Sequence, residues 1–528
     1  MGATVFFPAE NLTLEAAAGA SLLDVIRAAG LPIEAVCNGR GTCGKCRVRV
    51  DGAEMLACET AARDGMRVEI LSSAEEMDVL TESAAGGGGG TGAEADSAAT
   101  AGTDDTDDTA LAIAVDVGTT TVVVEALGLP SGSRRAVRGF TNPQRAYGAD
   151  VLSRINLSMD DASLLSGLIA KAVDEAVADV LAEAEATGAD VSKVVVAGNT
   201  TMSYLLLNLR CRSLGLAPFE PEFVFAPSYA YEDVFHAGTL ACPVVVTPFL
   251  SSFVGGDITA GLAHIDRHYG GDDYILVDMG TNGEIAYRKG ARLLATSTAA
   301  GPALEGGNIT CGMSGIAGAI YAVEPQGDGF AVQTIGGGAP LGICGSGVID
   351  LVAKLLAAGY VEVTGAFADA IPEGILCEVA LPAQASDAAP PRPMKALRIA
   401  KGPAASNGSA DIVFTQKDVR EFQLAKGAIR AGIEILMKEM GGAPAVLYLA
   451  GGFGQNINLA SAFAVGLLPP QLEGRVRFVG NTSLGGARDA CLHEDVRRNI
   501  QRILSEAEEI NLGGHPDFND TFMDTMLF

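Results

Sequence analysis

The sequence predicts a small α+β domain followed by a large α/β domain of two lobes. Three observations support this division: a cysteine-rich loop among short strand patterns near the start, a glycine- and aspartate-rich stretch after it, and a strand–turn–strand pattern that occurs twice farther on. A chain of 528 residues also exceeds what one hydrophobic core usually supports. We expect domains over 1–80 and 111–528, a flexible linker over 81–110, lobes near 111–255 and 256–480, and a C-terminal return over 481–528.

The small domain contains four cysteines in the spacing C-x5-C-x2-C-x11-C, namely Cys37, Cys43, Cys46 and Cys58. Glycines between the first three allow the backbone to fold tightly, so that its N–H groups can face inorganic sulfides. The pattern therefore indicates an iron–sulfur centre and an electron carrier. Structural zinc and merely buried thiols are the alternatives, but zinc favours two C-x2-C pairs and this stretch has one.

The residues around this loop fit a ubiquitin-like (β-grasp) sheet. Residues 4–7 and 12–14 have the pattern of a hairpin, a helix is expected to begin after Ser21, and strands are expected over 47–50 and 68–71. In this setting the cysteine spacing resembles that of a [2Fe–2S] ferredoxin domain, with a shorter gap before the last cysteine than plant-type ferredoxins have. The resemblance makes all four cysteines ligands of a [2Fe–2S] cluster.

The chain is strongly acidic, with a formal net charge of -28. Such a surface repels nucleic acid and anionic membranes, so we expect neither as a partner. The sequence has no apolar run long enough to span a bilayer and no secretory signal pattern, which predicts a cytoplasmic protein. Positive charge beside the cluster could guide an acidic electron donor, although a solvated rim is the commoner explanation; the residues are Arg40, Lys45, Arg47 and Arg49.

Two strand–turn–strand patterns indicate a duplicated fold. Residues 111–115 lead into the D-x-G-T turn at Asp116, and residues 274–277 lead into a second such turn at Asp278. These turns present backbone N–H groups and threonine hydroxyls to a triphosphate, while the aspartate can hold a magnesium-bound water or orient a nucleophilic water. We expect one hairpin in each lobe, facing the other across a cleft.

A third glycine cluster follows the predicted buried strand 446–450 and would let adenine and ribose approach the backbone. A tight turn is the alternative for each cluster alone, and hydrogen bonding within the turn is the alternative for each carboxylate. The predicted nucleotide-binding residues are Gly118, Thr119, Thr120, Gly280, Thr281, Asn282, Gly283, Gly451, Gly452 and Gly454. The predicted catalytic residues are Asp116, Asp278 and Glu284, with Glu305 as a weaker candidate.

The order of these motifs resembles that in the superfamily of actin, sugar kinases and chaperone ATPases, which implies its two-lobed α/β fold. Together with the cysteine loop, further segments resemble the reductive activators of corrinoid-dependent methyltransferases: Asn142–Val151, Ala197–Met202, Val254–Asp257, Asp278–Glu284, Ala299–Gly306, Gly342–Gly347 and Gln423–Ala428. Some members have an extra small domain after the ferredoxin part, and here only the linker occupies that place. Dimerisation through such a domain is therefore not expected, although a homodimer is left open.

The resemblance implies an enzyme that passes one electron from the cluster to an inactive Co(II) corrinoid protein and so regenerates Co(I) for methyl transfer. It also implies ATP with Mg²⁺ as a cofactor, a corrinoid protein as the partner, and an external low-potential electron donor. Two alternatives remain: an ATP-dependent activator of another low-potential or radical enzyme such as a dehydratase, and a non-enzymatic redox adaptor that senses nucleotide.

Two histidines, His264 and His268, have the spacing of one helical turn but no evident third metal-binding partner. We therefore expect both at the surface. The six cysteines outside the loop are scattered, and we expect them to be reduced and buried.

Overall fold

The computed structural model describes the chain except for residues 1, 10, 18, 30, 32, 34–38, 40–45, 72–107, 149, 370, 381–392, 402–410 and 452–456. Several predictions concern residues outside the described part. These residues are Cys37, Cys43, Arg40, Lys45, Gly452, Gly454 and most of the expected linker. The domain limits given above stay predictions.

The small domain is a five-stranded mixed sheet with one helix. Its elements are β1 (Gly2–Phe7), β2 (Leu12–Ala17), α1 (Leu22–Ala28), β3 (Arg47–Val50), β4 (Ala53–Leu56) and β5 (Met66–Ile70). The strand order β2-β1-β5-β3-β4, with β1 parallel to β5, is the predicted ubiquitin-like topology. Apolar residues of β1, β3, β5 and α1 form its core. As predicted, the Ser21 side chain caps α1, because it accepts a hydrogen bond from the backbone N–H of Leu23.

The next part of the chain forms a six-stranded sheet with helices. Its elements are β6 (Ala110–Val117), β7 (Thr121–Leu129), β8 (Arg134–Thr141), α2 (Val151–Leu157), α3 (Ser163–Glu183), β9 (Val191–Gly198), α4 (Thr200–Leu206), α5 (Arg212–Gly215), β10 (Tyr229–Ala230), α6 (Tyr231–Phe235) and β11 (Pro243–Val246). The strand order is β10-β11-β9-β6-β7-β8.

The remaining elements form a second six-stranded sheet and two smaller sheets. The elements are α7 (Gly256–His268), β12 (Asp273–Met279), β13 (Gly283–Lys289), β14 (Arg292–Thr298), β15 (Ala319–Gln326), β16 (Gly329–Thr334), β17 (Gly342–Ile343), α8 (Gly345–Ala357), β18 (Leu376–Ala380), β19 (Pro393–Lys401), β20 (Asp411–Thr415), α9 (Gln416–Glu439), β21 (Val446–Ala450), α10 (Leu459–Ala464), β22 (Val476–Gly480), α11 (Thr482–Leu492), α12 (Glu494–Glu506), β23 (Ala507–Glu509) and α13 (Phe518–Met526). The sheet orders are β22-β21-β12-β13-β14-β23, β16-β15-β17 and β18-β19-β20.

The two large sheets repeat one topology. Five strands of the first sheet, in the order β8-β7-β6-β9-β11, correspond to β14-β13-β12-β21-β22 in the second. In both sheets the first three strands are antiparallel and the last two run parallel to the middle one. The predicted duplication is confirmed, and each copy places a D-x-G-T turn between its first two strands in chain order.

The periodicity of apolar residues in the sequence also predicts two long helices, over 159–187 and from near Thr415 toward Met437, and both are present. For α9, Thr415 and Asp418 form the predicted helix start as a reciprocal capping box. The predicted range 159–187 for the earlier helix was too long, because α3 begins after the turn in which Asp161 accepts from the Ser163 N–H and ends before Glu185, whose φ is +52°. Among the described helices, none has the length and low polarity needed to cross a bilayer.

The helices α7, α11 and α12 pack between the two large sheets and share one apolar core with them. α7 and α11 run parallel and are closely packed, because glycines lie at their interface. A Cβ at Gly486 would lie 2.2 Å from the carbonyl oxygen of Ala260, and one at Gly261 would lie 2.8 Å from Oγ1 of Thr482. This pair therefore fixes the position of one large sheet relative to the other.

We predict that Gly486→Ala destabilises the protein by about 1–3 kcal/mol, because the added methyl group overpacks the α7–α11 interface. Gly167→Ala is the matched control: it adds the same methyl to a helix at an exposed position with no atom within 4 Å, and should stabilise by about 0.5–1 kcal/mol. Urea unfolding measures both free energies. A neutral Gly486→Ala would contradict the close packing.

Candidate functional site

The two D-x-G-T turns face each other across a cavity of about 280 Å³. Oγ1 of Thr120 lies 3.2 Å from Oγ1 of Thr281, so the two turns are within hydrogen-bonding distance. The cavity is also lined by the amino ends of α7, α8 and α11. Each helix start offers unpaired backbone N–H groups and the positive end of a dipole, which suits a phosphate chain.

Five carboxylates line the cavity: Asp116, Asp257, Asp278, Glu284 and Glu305. Four of them are the carboxylates predicted from the sequence. Asp257 lies in the motif Val254–Asp257, for which no role was predicted, and follows two glycines at the start of α7. The structure thus brings the acidic residues of both hairpins and of α7 into one site.

Burial and mutual repulsion raise the pKa values of these carboxyl groups. For both Asp257 and Asp278, burial is the main cause and nearby carboxylates add to it, so that each pKa rises to about 7. Burial, followed by repulsion from Asp257 and Asp278, raises the pKa of Glu284 well above its ordinary value. The pKa of Asp116 and that of Glu305 are also raised by burial. Such a group of acids favours a bound cation or retained protons.

Asp116 is held by two residues that the sequence analysis missed. Its Oδ2 accepts from Nδ2 of Asn481 and its Oδ1 accepts from Oγ of Ser483, both at 2.7 Å. Asn481 also caps α11 by accepting from the N–H of Leu484. An asparagine before a predicted helix is a recognisable cap, but no sequence signal pairs it with a residue more than 300 positions earlier.

Glu305 connects the two turns. Its Oε2 accepts from Oγ1 of Thr281 at 2.7 Å and from Oγ1 of Thr120 at 3.4 Å. These hydrogen bonds and the charge of Arg145 lower the pKa of Glu305, although burial outweighs them. Any change in the distance between the two hairpins would therefore alter the hydrogen bonds that Glu305 accepts from them.

Most of the predicted nucleotide-binding residues line the cavity: Gly118, Thr119, Thr120, Gly280, Thr281, Asn282 and Gly451. Gly283 does not, because it lies in β13, where a Cβ would be 2.9 Å from Oγ1 of Thr298. At Gly451, φ is +92° and a Cβ would lie 2.7 Å from Oδ1 of Asp278. This glycine therefore leaves room for the aspartate carboxylate as well as for a ligand.

The described part of the cysteine loop fits a cluster. Sγ of Cys46 lies 3.3 Å from Sγ of Cys58, which is too far for a disulfide but places both thiols side by side. Gly39 has φ of +80°, and a Cβ there would lie 3.8 Å from Cβ of Cys58. These two thiols and the open backbone beside them suit thiolate ligation of iron.

A buried arginine supports the first turn. Arg154, which has no exposed surface, donates from Nη2 to the carbonyl oxygen of Thr119 at 2.5 Å and from Nε to that of Gly148 at 2.9 Å. Nearby, Nδ2 of Asn142 donates to the carbonyl oxygen of Gly118 at 2.8 Å. The segment Asn142–Val151, which the sequence analysis quoted only for its resemblance, thus positions the phosphate-facing turn.

Of the two histidines predicted at the surface, His268 is exposed as expected, whereas the prediction for His264 was wrong. His264 is 12% exposed, and Asp489 of α11 is the third partner that the sequence did not reveal. Four of the six scattered cysteines are buried as expected, whereas Cys311 and Cys377 are half-buried.

Comparisons with known proteins divide the chain into three matched regions. Residues 6–69 match the family described as a 2Fe-2S iron-sulfur cluster binding domain. Residues 111–269 match the RACo middle region, and residues 272–528 match the C-terminal domain of RACo, the ASKHA domain.

Relatives match over the whole chain or most of it. The corrinoid activation enzyme RamQ of Eubacterium limosum is 30% identical over 605 aligned positions, covering 99% of each protein. The [Co(II) methylated amine-specific corrinoid protein] reductase of Methanosarcina barkeri is 26% identical, covering 63% of this chain and 62% of its own. The solved structure of a reductive activator for corrinoid, iron-sulfur protein aligns with a TM-score of 0.69 and 25% identity, over 100% of this chain and 98% of its own.

We predict that Arg154→Met destabilises the protein by about 3 kcal/mol, because the carbonyl groups of Thr119 and Gly148 lose a buried charged donor. Arg138→Met is the control, since Arg138 is about half exposed and pairs with Asp179 at 3.7 Å; it should cost less than about 1 kcal/mol. Urea unfolding measures both. Equal losses in the two variants would remove the supporting role of Arg154.

A second prediction concerns pH. The unfolded chain releases the Asp278 proton near pH 3.8, whereas the folded protein holds it to about pH 7, so folding stability should fall as the pH rises between these values. Each such group contributes at most about 1.4 kcal/mol per pH unit. Asp278→Asn should make the fall shallower.

Urea unfolding from pH 4.5 to 7.5 in a buffer free of divalent cations measures this slope. Asp328→Asn, which removes an exposed carboxylate from a hairpin turn, controls for the loss of one charge. If Asp278→Asn and Asp328→Asn give the same slope, the acidic cavity does not set the pH dependence.

Proposed function

The chain belongs to the family of reductive activators of corrinoid proteins, and from this premise we propose that it reduces an inactive Co(II) corrinoid protein to Co(I) at the expense of ATP. The main support is the pairing, in one polypeptide, of a cluster-binding domain with a nucleotide-type cleft between duplicated hairpins. Reduction of Co(II) to Co(I) consumes one electron, which an external low-potential donor must replace.

We propose that Cys46 and Cys58, together with Cys37 and Cys43, hold a [2Fe–2S] cluster. When bound, such a cluster accepts and releases one electron at a time. The protein contributes the burial of Cys46, which is 1% exposed, and the close approach of the backbone at Gly39. The burial of Cys46 limits the access of water to its sulfur atom.

We further propose that ATP binds in the cavity with Mg²⁺. The amino ends of α7, α8 and α11 would face the phosphates, and the carboxylates of Asp116, Asp257 and Asp278 would face the cation. The donor set fits, because Mg²⁺ prefers carboxylate oxygens and, among the described residues, no cation offsets the burial of these three acids. A magnesium ion would allow them to ionise at neutral pH.

A contact between the small domain and the large domain supports mechanical coupling between the nucleotide cleft and the cluster. The guanidinium of Arg27 in α1 lies 4.7 Å from the ring centroid of Tyr147 and donates to the carbonyl oxygen of Ala146. These two acceptors follow Asn142, which holds the turn at Gly118. Closure of the hairpins on a nucleotide would therefore move the surface on which the small domain rests.

The positive charge that was expected beside the cluster to guide an external electron donor is smaller than the sequence suggested. Arg49 forms ion pairs with Glu54 and Glu69, so much of its charge is compensated within the sheet. Arg47 is exposed, and this described residue supports the proposal that an acidic electron donor docks here. We also propose a cytoplasmic location, which buried thiols outside any disulfide, such as Cys211 and Cys491, support.

The test is an anaerobic reaction of the reduced protein, MgATP and a Co(II) corrinoid protein, followed by visible spectroscopy for Co(I). We predict that Cys58→Ser abolishes cobalt reduction but retains ATP hydrolysis, whereas Asp278→Asn retains the cluster spectrum but slows hydrolysis about 100-fold. Cys377→Ser, at a half-buried thiol in β18, is the matched control and should behave as wild type.

Each outcome separates the proposal from its alternatives. Nucleotide binding without hydrolysis and without Co(I) would favour a redox adaptor. Hydrolysis that no corrinoid protein stimulates, with reduction of a dehydratase instead, would favour the other class of activator. Unimpaired hydrolysis in Asp278→Asn would remove the catalytic role of that carboxylate while leaving the cluster's role intact.

A further inference from the structure

Two histidines and an aspartate converge at the end of the α7–α11 pair that is farther from the cavity. Nδ1 of His264 lies 2.6 Å from Oδ2 of Asp489, and Nε2 of His268 lies 2.8 and 3.0 Å from its two oxygens. The three ligand atoms all lie within 4.8 Å of one another. Both imidazoles thus direct a nitrogen at the same carboxylate from one face of α7.

The packing around this group leaves one side open. Asp489 is 7% exposed and His264 is 12% exposed, while His268 is 45% exposed. The His264 ring lies flat against α11 at Gly485, where a Cβ would be 2.8–2.9 Å from three ring atoms. A glycine at this position is what allows the imidazole to reach Asp489, and the exposed side at His268 leaves space for a water molecule.

We propose that His264, His268 and Asp489 form a binding site for a divalent transition-metal ion, with Zn²⁺ as the preferred ion. Neutral imidazole nitrogens and a carboxylate oxygen are borderline ligands that suit zinc, and histidines four residues apart on one helix face can ligate the same ion. Three protein ligands and one open position give four-coordinate geometry.

The location gives such an ion a mechanical effect. It would join α7 to α11, whose opposite ends bring Asp257 and the Asn481–Ser483 pair to the cavity. A bound ion would hold the two helices in register and so restrain these cavity residues. The site is separate from the cysteine loop and from the cavity carboxylates, so the proposal does not depend on the proposed function.

The test is a Zn²⁺ titration of the full chain, with its cluster reconstituted and its cavity saturated with MgADP so that neither takes up zinc. Calorimetry counts the bound equivalents, and Co²⁺ in place of Zn²⁺ gives a visible absorption band that reports four-coordinate ligation. The variants are His268→Ala and Asp489→Asn, and the matched control is His236→Ala, which removes an exposed histidine at the end of α6.

Wild type and His236→Ala should bind one equivalent of Zn²⁺, with a rise in the thermal midpoint and the Co²⁺ band. His268→Ala should lose that equivalent or bind it at least about tenfold more weakly, and should lack the band. Since His268 is partly exposed, its replacement tests the site even if Asp489→Asn fails to fold. Equal Zn²⁺ binding in wild type and His268→Ala, or no binding in either, would overturn the proposal and leave an ordinary aspartate–histidine ion pair.

Discussion

The structure depends above all on keeping five carboxylates close together beneath the two hairpin turns. Two unit charges 4 Å apart repel by about 4 kcal/mol at the effective dielectric of a protein surface, and burial adds to that cost. Hydrogen bonds from Asn481 and Ser483 to Asp116, and from the turn threonines to Glu305, partly offset this unfavourable free energy. Burial also raises the pKa of Asp278 to about 7, which favours its neutral form.

The amino ends of three helices, which are the positive ends of their dipoles, lie beside these acids. A cavity lined by both carboxylates and helix starts suits a ligand that carries both a cation and phosphates. The close packing of α7 and α11 matters for the same reason. Because glycines let these helices touch, Asp257 and Asn481 reach one cavity although they belong to segments more than 200 residues apart.

Local signals predicted much of the fold. The capping residues at Ser21 and Thr415, the alternation in the small sheet and the duplicated D-x-G-T turns were read correctly, because each depends on neighbours in the chain. The pairing of Asn481 with Asp116 and of Asp489 with the two histidines was not predictable in this way. Both pairings arise from packing between segments that are remote in sequence, for which one sequence gives no signal. The role of Gly283 stays a prediction, since this glycine begins β13 and is not among the residues that line the cavity.

The contact of Arg27 with Tyr147 raises the question of how energy from the cleft could reach the small domain. A cation–π contact with one added hydrogen bond is worth on the order of 1–2 kcal/mol, which is weak compared with the energy of a bound nucleotide. A weak contact can break when the hairpins close, and a tight one could not. The segment Asn142–Tyr147 connects closure of the hairpins with this contact. Its Asn142 donates to the carbonyl oxygen of Gly118, and the ring of its Tyr147 lies under Arg27. We propose that nucleotide binding would then weaken this contact between the small domain and Tyr147.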